Sequence, residues 1–234
     1  MDQPPAAVST LSDPARLRTL EEVGLMYAGA NPELDRLSAL AAKCLSAPVC
    51  MVSLVGGDRM ALPGAVGLAE PWATERSASL AHSLCQQVVL GASPLDVTDV
   101  RAASSPDHSA AHGFGIIAYL GIPITTPEGL VLGAFCVIDA RPREWSPEEI
   151  SLAEGFAAIV SDFLGDRIGK ARADQAFHVV IHDLKTPLAG MAMATGLLQE
   201  RQGDLPEQIL PLVEILSEST NKALELVKSL LRKP

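Results

Sequence analysis

Apolar residues follow two different patterns along the chain, and the change falls near residue 146. Before it, short apolar runs rich in β-branched residues lie between turn sequences, which is typical of buried strands. After it, apolar residues recur at helical spacing with no strong stop until "QGDLPE", residues 202–207. The pattern therefore predicts a mixed part made of helices and strands, followed by long helices.

The first 145 residues predict an α+β module with an antiparallel sheet of about five strands. Two capped helices are predicted where Asp or Asn precedes a proline, in "DPARLRTLEEVGLM" and "NPELDRLSALAAKCL". Pro63 and Gly64 weaken the second strand and indicate a sheet edge. The predicted strands lie at 47–55, 58–68, 94–100 and on both sides of the turn "TPEG" within 116–140. A short helix is predicted at 77–92, and a long polar loop at 101–115.

The long helix has a well-defined predicted start. Ser146 is the expected N-cap, Pro147 takes the first helical position, and Glu149 provides the acid of a capping box. An unbroken helix from there would hold about 55 residues and measure roughly 80 Å. A helix of that length cannot bury itself in a domain of this size, so it must leave the domain and find a partner.

A heptad seam runs through both predicted C-terminal helices. Its members follow a 4-3 spacing: Phe177, Ile181, Leu184, Leu188, Met191, Thr195 and Leu198, then Ile209, Val213, Leu216, Thr220, Ala223, Val227 and Leu230. Additional leucines widen the second stripe, which suits a four-helix bundle. One chain supplies two helices, so the pattern predicts a homodimer.

The stretch "FHVVIHDLKTPLAG", residues 177–190, places polar chemistry outside this seam. His182 and Asp183 fall on the outer side, and Thr186 shares the face of His182 one turn later. A neutral imidazole is a competent nucleophile near neutral pH, and a carboxylate bonded to one ring nitrogen would fix its tautomer. Pro187 removes a backbone donor and softens the helix beside them. His178 is interpreted as a surface histidine.

"HDLKTPL", residues 182–188, resembles the phosphoacceptor box of the sensor histidine kinases. The resemblance implies that His182 is the phosphoacceptor and that Asp183 activates it for attack on ATP. Thr186 corresponds to the polar residue of the phosphatase motif, which would orient a water molecule. Pro187 corresponds to the helix-bending proline and Lys185 to the basic position of that box.

The N-terminal part resembles a GAF domain of the bacterial type that precedes such kinases. The resemblance rests on "SLCQQVV", "PLDVTDV" and "AYLGIPITTPEGLVLGAFCVIDARPREWSPEE" and covers most of residues 15–165. It implies a sensor or a dimerisation module, with a default ligand pocket between the sheet and the long loop. Phytochrome-like relatives attach a bilin to a cysteine that is often followed by histidine. Cys85 is followed by Gln86, which argues against bilin attachment here. His82, His108 and His112 fit no standard haem or metal spacing, so no cofactor and no metal is assigned.

Charge and cysteine content exclude several other classes. The net charge is -10, with acids spread along the chain, which argues against nucleic acid and anionic membranes as partners. No run of 18 apolar residues and no signal peptide is present, so a cytoplasmic location is expected. The four cysteines form no CxxC pair and are expected to be reduced and buried, with redox sensing or cofactor attachment left open.

Three segments are expected: a flexible leader at 1–15, a GAF-like sensor domain at 16–165, and a dimerisation and phosphotransfer hairpin at 166–234. The ATP-binding domain of the resembled family should follow the second helix, but nothing after Leu231 offers its motifs, and no phosphate-binding loop occurs elsewhere. The chain alone is therefore expected to be inactive as a kinase, being either a piece of a sensor kinase or a short form phosphorylated by another protein.

Two functions follow as hypotheses. In the first, GAF input controls phosphorylation of His182, with ATP supplied by a domain in cis or in trans, and transfer to a response-regulator aspartate. In the second, the chain is a non-catalytic dimeric module that binds a GAF ligand, and its hairpin only dimerises or docks a partner.

Overall fold

The computed structural model describes residues 11–80, 83–102, 115–201, 203 and 206–231. Most of the predicted leader and of the loop at 101–115 lies outside the described residues. The chain divides into two compact units, Met1–Gly169 and Lys170–Pro234.

The first unit contains an antiparallel sheet with six strands among its described residues, in the order β3-β2-β1-β6-β5-β4. Helices flank it on both sides, so the predicted α+β, GAF-like architecture is confirmed. The strands are β1 (Val49–Val55), β2 (Arg59–Val66), β3 (Ser77–Ser79), β4 (Leu95–Val97), β5 (Ala118–Thr125) and β6 (Val131–Asp139).

The helices match most of the sequence signals. Asp13 and Asn31 cap the first two helices through their side-chain oxygens, as the Asp-Pro and Asn-Pro pairs predict. Gly24 ends α1 in the left-handed conformation at a φ of 70°, which suits glycine. The described helices are α1 (Pro14–Val23), α2 (Pro32–Cys44), α3 (Trp72–Glu75), α4 (Leu84–Gly91), α5 (Pro147–Glu200) and α6 (Leu210–Leu231).

Two local predictions are wrong. The helix predicted at 77–92 begins only at Leu84, where Ser83 caps it, and Ser77–Ser79 instead pairs with β2 as an added strand. The second strand is not an edge, because β2 pairs with both β1 and β3. Pro63 is tolerated there because it lies where the β1–β2 register shifts. At this bulge the strand pairing requires no backbone N–H donor from Pro63.

Alternating side chains of the sheet form two cores. One face packs against α1, α2 and the first turns of α5, where Phe135 stacks on Phe156 with ring centroids 5.8 Å apart. The other face packs against α4, and Cys136 points into it. Neighbouring residues of β6 therefore serve different cores, as the period of two requires.

The start of α5 is fastened to the sheet. Ser146 and Glu149 exchange the two hydrogen bonds of the predicted capping box, at 3.2 and 2.9 Å. The guanidinium of Arg143 also donates to Glu149 and to Asp139 at the end of β6. The last strand and the long helix are thus joined by one arginine.

The second unit consists of the remainder of α5 together with α6. Ile181 and Thr195 of α5 are buried, as are Val213, Thr220 and Val227 of α6. A single helix cannot hide its own side chains from solvent, so these two rows face each other across a helical hairpin. Within the described residues no helix is both long enough and apolar enough to span a membrane.

Candidate functional site

His182 lies on the exposed surface of α5. Its side chain is 79% exposed and that of Asp183 is 74% exposed, so a large reactant can reach both. The Nδ1 atom of His182 lies 3.4 Å from Oδ1 of Asp183. This distance is long for a hydrogen bond, and a small rotation of either exposed side chain would close it.

Proline changes the backbone next to this pair. Pro187 lies inside α5 and has no N–H, so the carbonyl of Asp183, four residues earlier, lacks its usual helical donor. The hydroxyl of Thr186 points back toward the carbonyl of His182, at 3.4 Å. Both effects are confined to the turn that carries the histidine and the acid.

His178 differs from His182 in its bonding. Its Nδ1 lies 2.8 Å from the carbonyl oxygen of Asp174, one turn earlier in the same helix. Because a carbonyl only accepts, Nδ1 of His178 must carry the proton. His178 is therefore tied to its own backbone and is not joined to His182.

The hairpin buries only every second seam residue of α5. Ile181 and Thr195 are buried and Leu188 is partly buried, whereas the seam residues that alternate with them remain exposed: Phe177, Leu184, Met191 and Leu198. At 100° per residue, His182 and Thr186 lie on the side of α5 opposite this row. The helix thus has an exposed apolar row on one side and the histidine on the other.

Most of the loop that would cover the predicted ligand pocket of the first unit lies outside the described residues, as do His82, His108 and His112. An open groove of about 550 Å³ does lie where the end of α2 meets β1 and β6, and it includes Ser46, Asp139 and Arg141. In the part of the chain that is described, no group of three His, Cys, Asp or Glu side chains could hold a metal.

One cluster was not predicted from the sequence. Cys85 and Cys136 are 51 residues apart in the chain, yet their sulfur atoms lie 3.5 Å apart beneath α4. The sequence signals for these two cysteines are an inward-facing position in an amphipathic helix for Cys85 and an inward-facing position in a strand for Cys136. Those positions predict burial but not which buried residues meet.

Comparison with known proteins agrees with this architecture. The GAF domain family matches residues 31–162, more than half of the chain, so the protein belongs to that family. The His Kinase A (phospho-acceptor) domain matches residues 172–232, a range that includes His182. Neither match is an ATP-binding domain.

Individual relatives are distant. A cyclic di-GMP phosphodiesterase from Pseudomonas aeruginosa is 28% identical over 151 residues, which are 62% of this chain and 24% of that protein. The chain thus spans about a quarter of the length of this relative.

Several solved structures with similar folds are GAF domains. The blue-light absorbing form of the PixJ GAF domain from Thermosynechococcus elongatus is 16% identical, with a TM-score of 0.50, and the match covers 71% of this chain and 97% of that one. The GAF domain of a phosphoenolpyruvate-protein phosphotransferase from Acinetobacter is 20% identical, with a TM-score of 0.46. This match covers 72% of this chain and 99% of that one. The first likeness shows the fold and indicates no ligand.

A GAF domain followed by a phosphoacceptor domain is the arrangement of the sensory and phosphoacceptor region of a two-component histidine kinase. The protein is thereby assigned to signal transduction.

Proposed function

We propose that His182 accepts a phosphoryl group from ATP and passes it to an aspartate of a response regulator, under control of the GAF domain. The observation that carries this proposal is the exposed His182–Asp183 pair on α5, inside the phosphoacceptor match. The ATP is held by an ATP-binding domain, in cis or in trans. The reaction takes place in the cytoplasm, where ATP and response regulators are found.

Asp183 supports this chemistry by fixing the imidazole tautomer. Its carboxylate faces Nδ1 of His182, so the proton stays on Nδ1 and the lone pair of Nε2 is free. Nε2 attacks the γ-phosphorus, the bond from phosphorus to the β-phosphate oxygen breaks, and ADP leaves. The ring becomes an imidazolium, and the adjacent carboxylate stabilises its positive charge.

The second transfer reverses this change in charge. A carboxylate oxygen of the response regulator attacks the phosphorus, the N–P bond breaks, and His182 returns to the neutral form. Thr186 lies one turn from His182 on the same face of α5, where its hydroxyl can orient a water molecule for removal of the phosphate. Lys185 and Pro187 complete the box.

The exposed seam row supports a homodimer. Leu184 and Met191 are apolar and about half exposed in the hairpin of one chain, as is Leu216 of α6. A second copy would cover these rows and complete a four-helix bundle. His182 lies away from the seam, so it would stay accessible in the dimer.

The proposal is tested by labelling the chain with γ-labelled ATP and a sensor-kinase ATP-binding domain added in trans. Incorporated phosphate should be labile to acid and stable to base, and it should disappear in His182→Ala. His178→Ala is the matched control, because it removes an exposed histidine from the preceding turn and should label like the wild type.

Two results would contradict this function. Label that persists in His182→Ala would place the phosphate elsewhere. A folded, dimeric wild-type chain that takes up no label from several ATP-binding domains would favour the non-catalytic module.

A further inference from the structure

A pair of buried thiols lies between α4 and β6 in the GAF domain. The Cys85 and Cys136 sulfur atoms are 3.5 Å apart, close to van der Waals contact, and both residues are free thiols. Cys85 is 3% exposed and Cys136 is fully buried. Cys85 belongs to the first turn of α4, and Cys136 lies near the centre of β6.

The polar groups around the pair are directed at sulfur. The buried hydroxyl of Tyr119 lies 3.6 Å from the Cys85 sulfur and 3.3 Å from that of Cys136. Ser83 and Ser53 lie nearby, and both of their hydroxyls contact the sulfur of Met60. A purely apolar packing role for two cysteines would not require a tyrosine hydroxyl in contact with both sulfur atoms.

The two thiols differ in acidity. A hydrogen bond from Cys136 is the largest influence that lowers the pKa of Cys85, to about 6, and Ser53, Tyr119 and Ser83 assist. Burial raises the pKa of Cys136 well above its ordinary value. One member of the pair is thus prepared to be a thiolate, while its neighbour keeps its proton.

The remaining cysteines have no such neighbour. Cys50 lies on β1 but points into the core on the opposite face of the sheet, and burial raises its pKa to about 12. Cys44 is exposed near the end of α2. Among the described residues, Cys85 and Cys136 are therefore the pair of cysteines whose sulfur atoms lie in contact.

We propose that Cys85 and Cys136 are a redox modification site, which hydrogen peroxide oxidises to an intramolecular disulfide. The Cys85 thiolate attacks one peroxide oxygen, the O–O bond breaks, and hydroxide leaves, which gives a sulfenic acid at Cys85. The Cys136 thiol then attacks that sulfur and displaces the hydroxyl group as water. In total, two thiols lose two electrons and two protons, and one peroxide becomes two water molecules.

Bond formation would also move the helix. A disulfide needs sulfur atoms about 2.05 Å apart, so the pair must approach by about 1.5 Å. β6 is held between β1 and β5, whereas α4 is a helix of only eight residues. Closure should therefore draw α4 toward the sheet, which makes the state of the thiols a candidate input signal of the GAF domain.

The test is peptide mapping of the full-length chain after treatment with hydrogen peroxide. The reduced protein is oxidised, unfolded, alkylated and digested. The expected product is a cross-linked pair of peptides containing Cys85 and Cys136, with the bond formed within one chain before Cys44 or Cys50 reacts. Cross-links that involve only Cys44, or oxidation of Cys85 to sulfinic acid without a disulfide, would overturn the proposal.

Single substitutions separate the two steps. In Cys136→Ser the Cys85 sulfenic acid should accumulate and be trapped by dimedone, and no intramolecular bond should form. Cys44→Ser is the matched control and should form the bond as the wild type does. The readout is the thiol state, so it is independent of whether His182 is phosphorylated, and the wild-type map alone decides the proposal if a variant fails to fold.

Discussion

At the scale of single residues, Arg16 shows how a charged side chain can belong to the core. It is fully buried, and its guanidinium donates to the carbonyl oxygen of Val55 at 2.5 Å and approaches that of Gly56 at 3.4 Å. Burial lowers the pKa of Arg16. The side chain therefore joins α1 to the end of β1 and to the turn that follows it, through hydrogen bonds to backbone oxygens.

Replacing Arg16 should destabilise the first unit. Arg16→Met keeps much of the volume but leaves the buried carbonyl oxygens without a donor, which should lower the free energy of unfolding by about 2 kcal/mol. Urea denaturation followed by circular dichroism measures the loss. Arg18→Met, on an exposed position of the same helix, is the control and should change stability little. Equal effects of the two substitutions would show that the buried contacts of Arg16 are unimportant.

The residues of the two sites were not equally accessible to prediction. The heptad register alone places His182 and Thr186 outside the seam, because helical geometry is local. The meeting of Cys85 with Cys136 depends on how α4 lies across the sheet, and no local pattern encodes that. Burial of Arg16 was missed for the same reason.

At the scale of elements, the first turn of α5 attaches this helix, which also carries His182, to the end of the sheet. The Ser146 backbone N–H is the main influence that holds the pKa of Glu149 below its ordinary value, and the Arg143 guanidinium adds to it. Folding therefore favours the ionised carboxylate. The contribution of Glu149 to the free energy of unfolding is complete above the pKa that Glu149 has in the unfolded chain. It is lost as the pH falls through the lower pKa that Glu149 has in the folded chain.

Glu149→Gln tests this connection. The amide can still accept from Ser146 but loses the ion pair with Arg143, so unfolding at pH 7 should cost about 1 kcal/mol less than in the wild type. Glu148→Gln, at the exposed neighbouring position, should have little effect. The difference between wild type and Glu149→Gln should shrink as the pH falls below about 4. A difference that stays constant down to acidic pH would refute the assigned role of the carboxylate.

Element boundaries were predictable where side chains cap or turn the backbone. Ser146 and the turn before β6 were found at their predicted places, since both signals act within a few residues. Strand β3 was not predicted because three residues are too few to show an alternation of apolar and polar positions. Strand β2 was wrongly predicted as an edge because Pro63 lies at a bulge, where a proline is compatible with an interior strand. Tertiary pairing decided both cases.

At the scale of the whole molecule, the apolar row Phe177, Leu184, Met191 and Leu198 on α5 stays exposed to solvent in the hairpin of a single chain. Met191 belongs to this row and is 50% exposed, whereas Met193 lies on the opposite side of the helix and is 72% exposed. A dimer seam should bury the first and leave the second free.

The two methionines provide a matched test of the dimer. Met191→Glu would place a charge in the bundle core, so the dimer should weaken by more than about tenfold, as light scattering over a concentration series would show. Met193→Glu should dimerise like the wild type. A wild-type chain that is monomeric at micromolar concentration, or equal weakening by both substitutions, would exclude the proposed bundle.

The most direct test of the central claim is to locate the phosphate on the labelled chain. Fragmentation mass spectrometry at neutral to basic pH can assign the modified residue within the peptide that spans residues 177–190. The account predicts phosphate on His182 and an unmodified His178 in the same peptide. Phosphate on His178, on Thr186 or on a residue outside this stretch would contradict it.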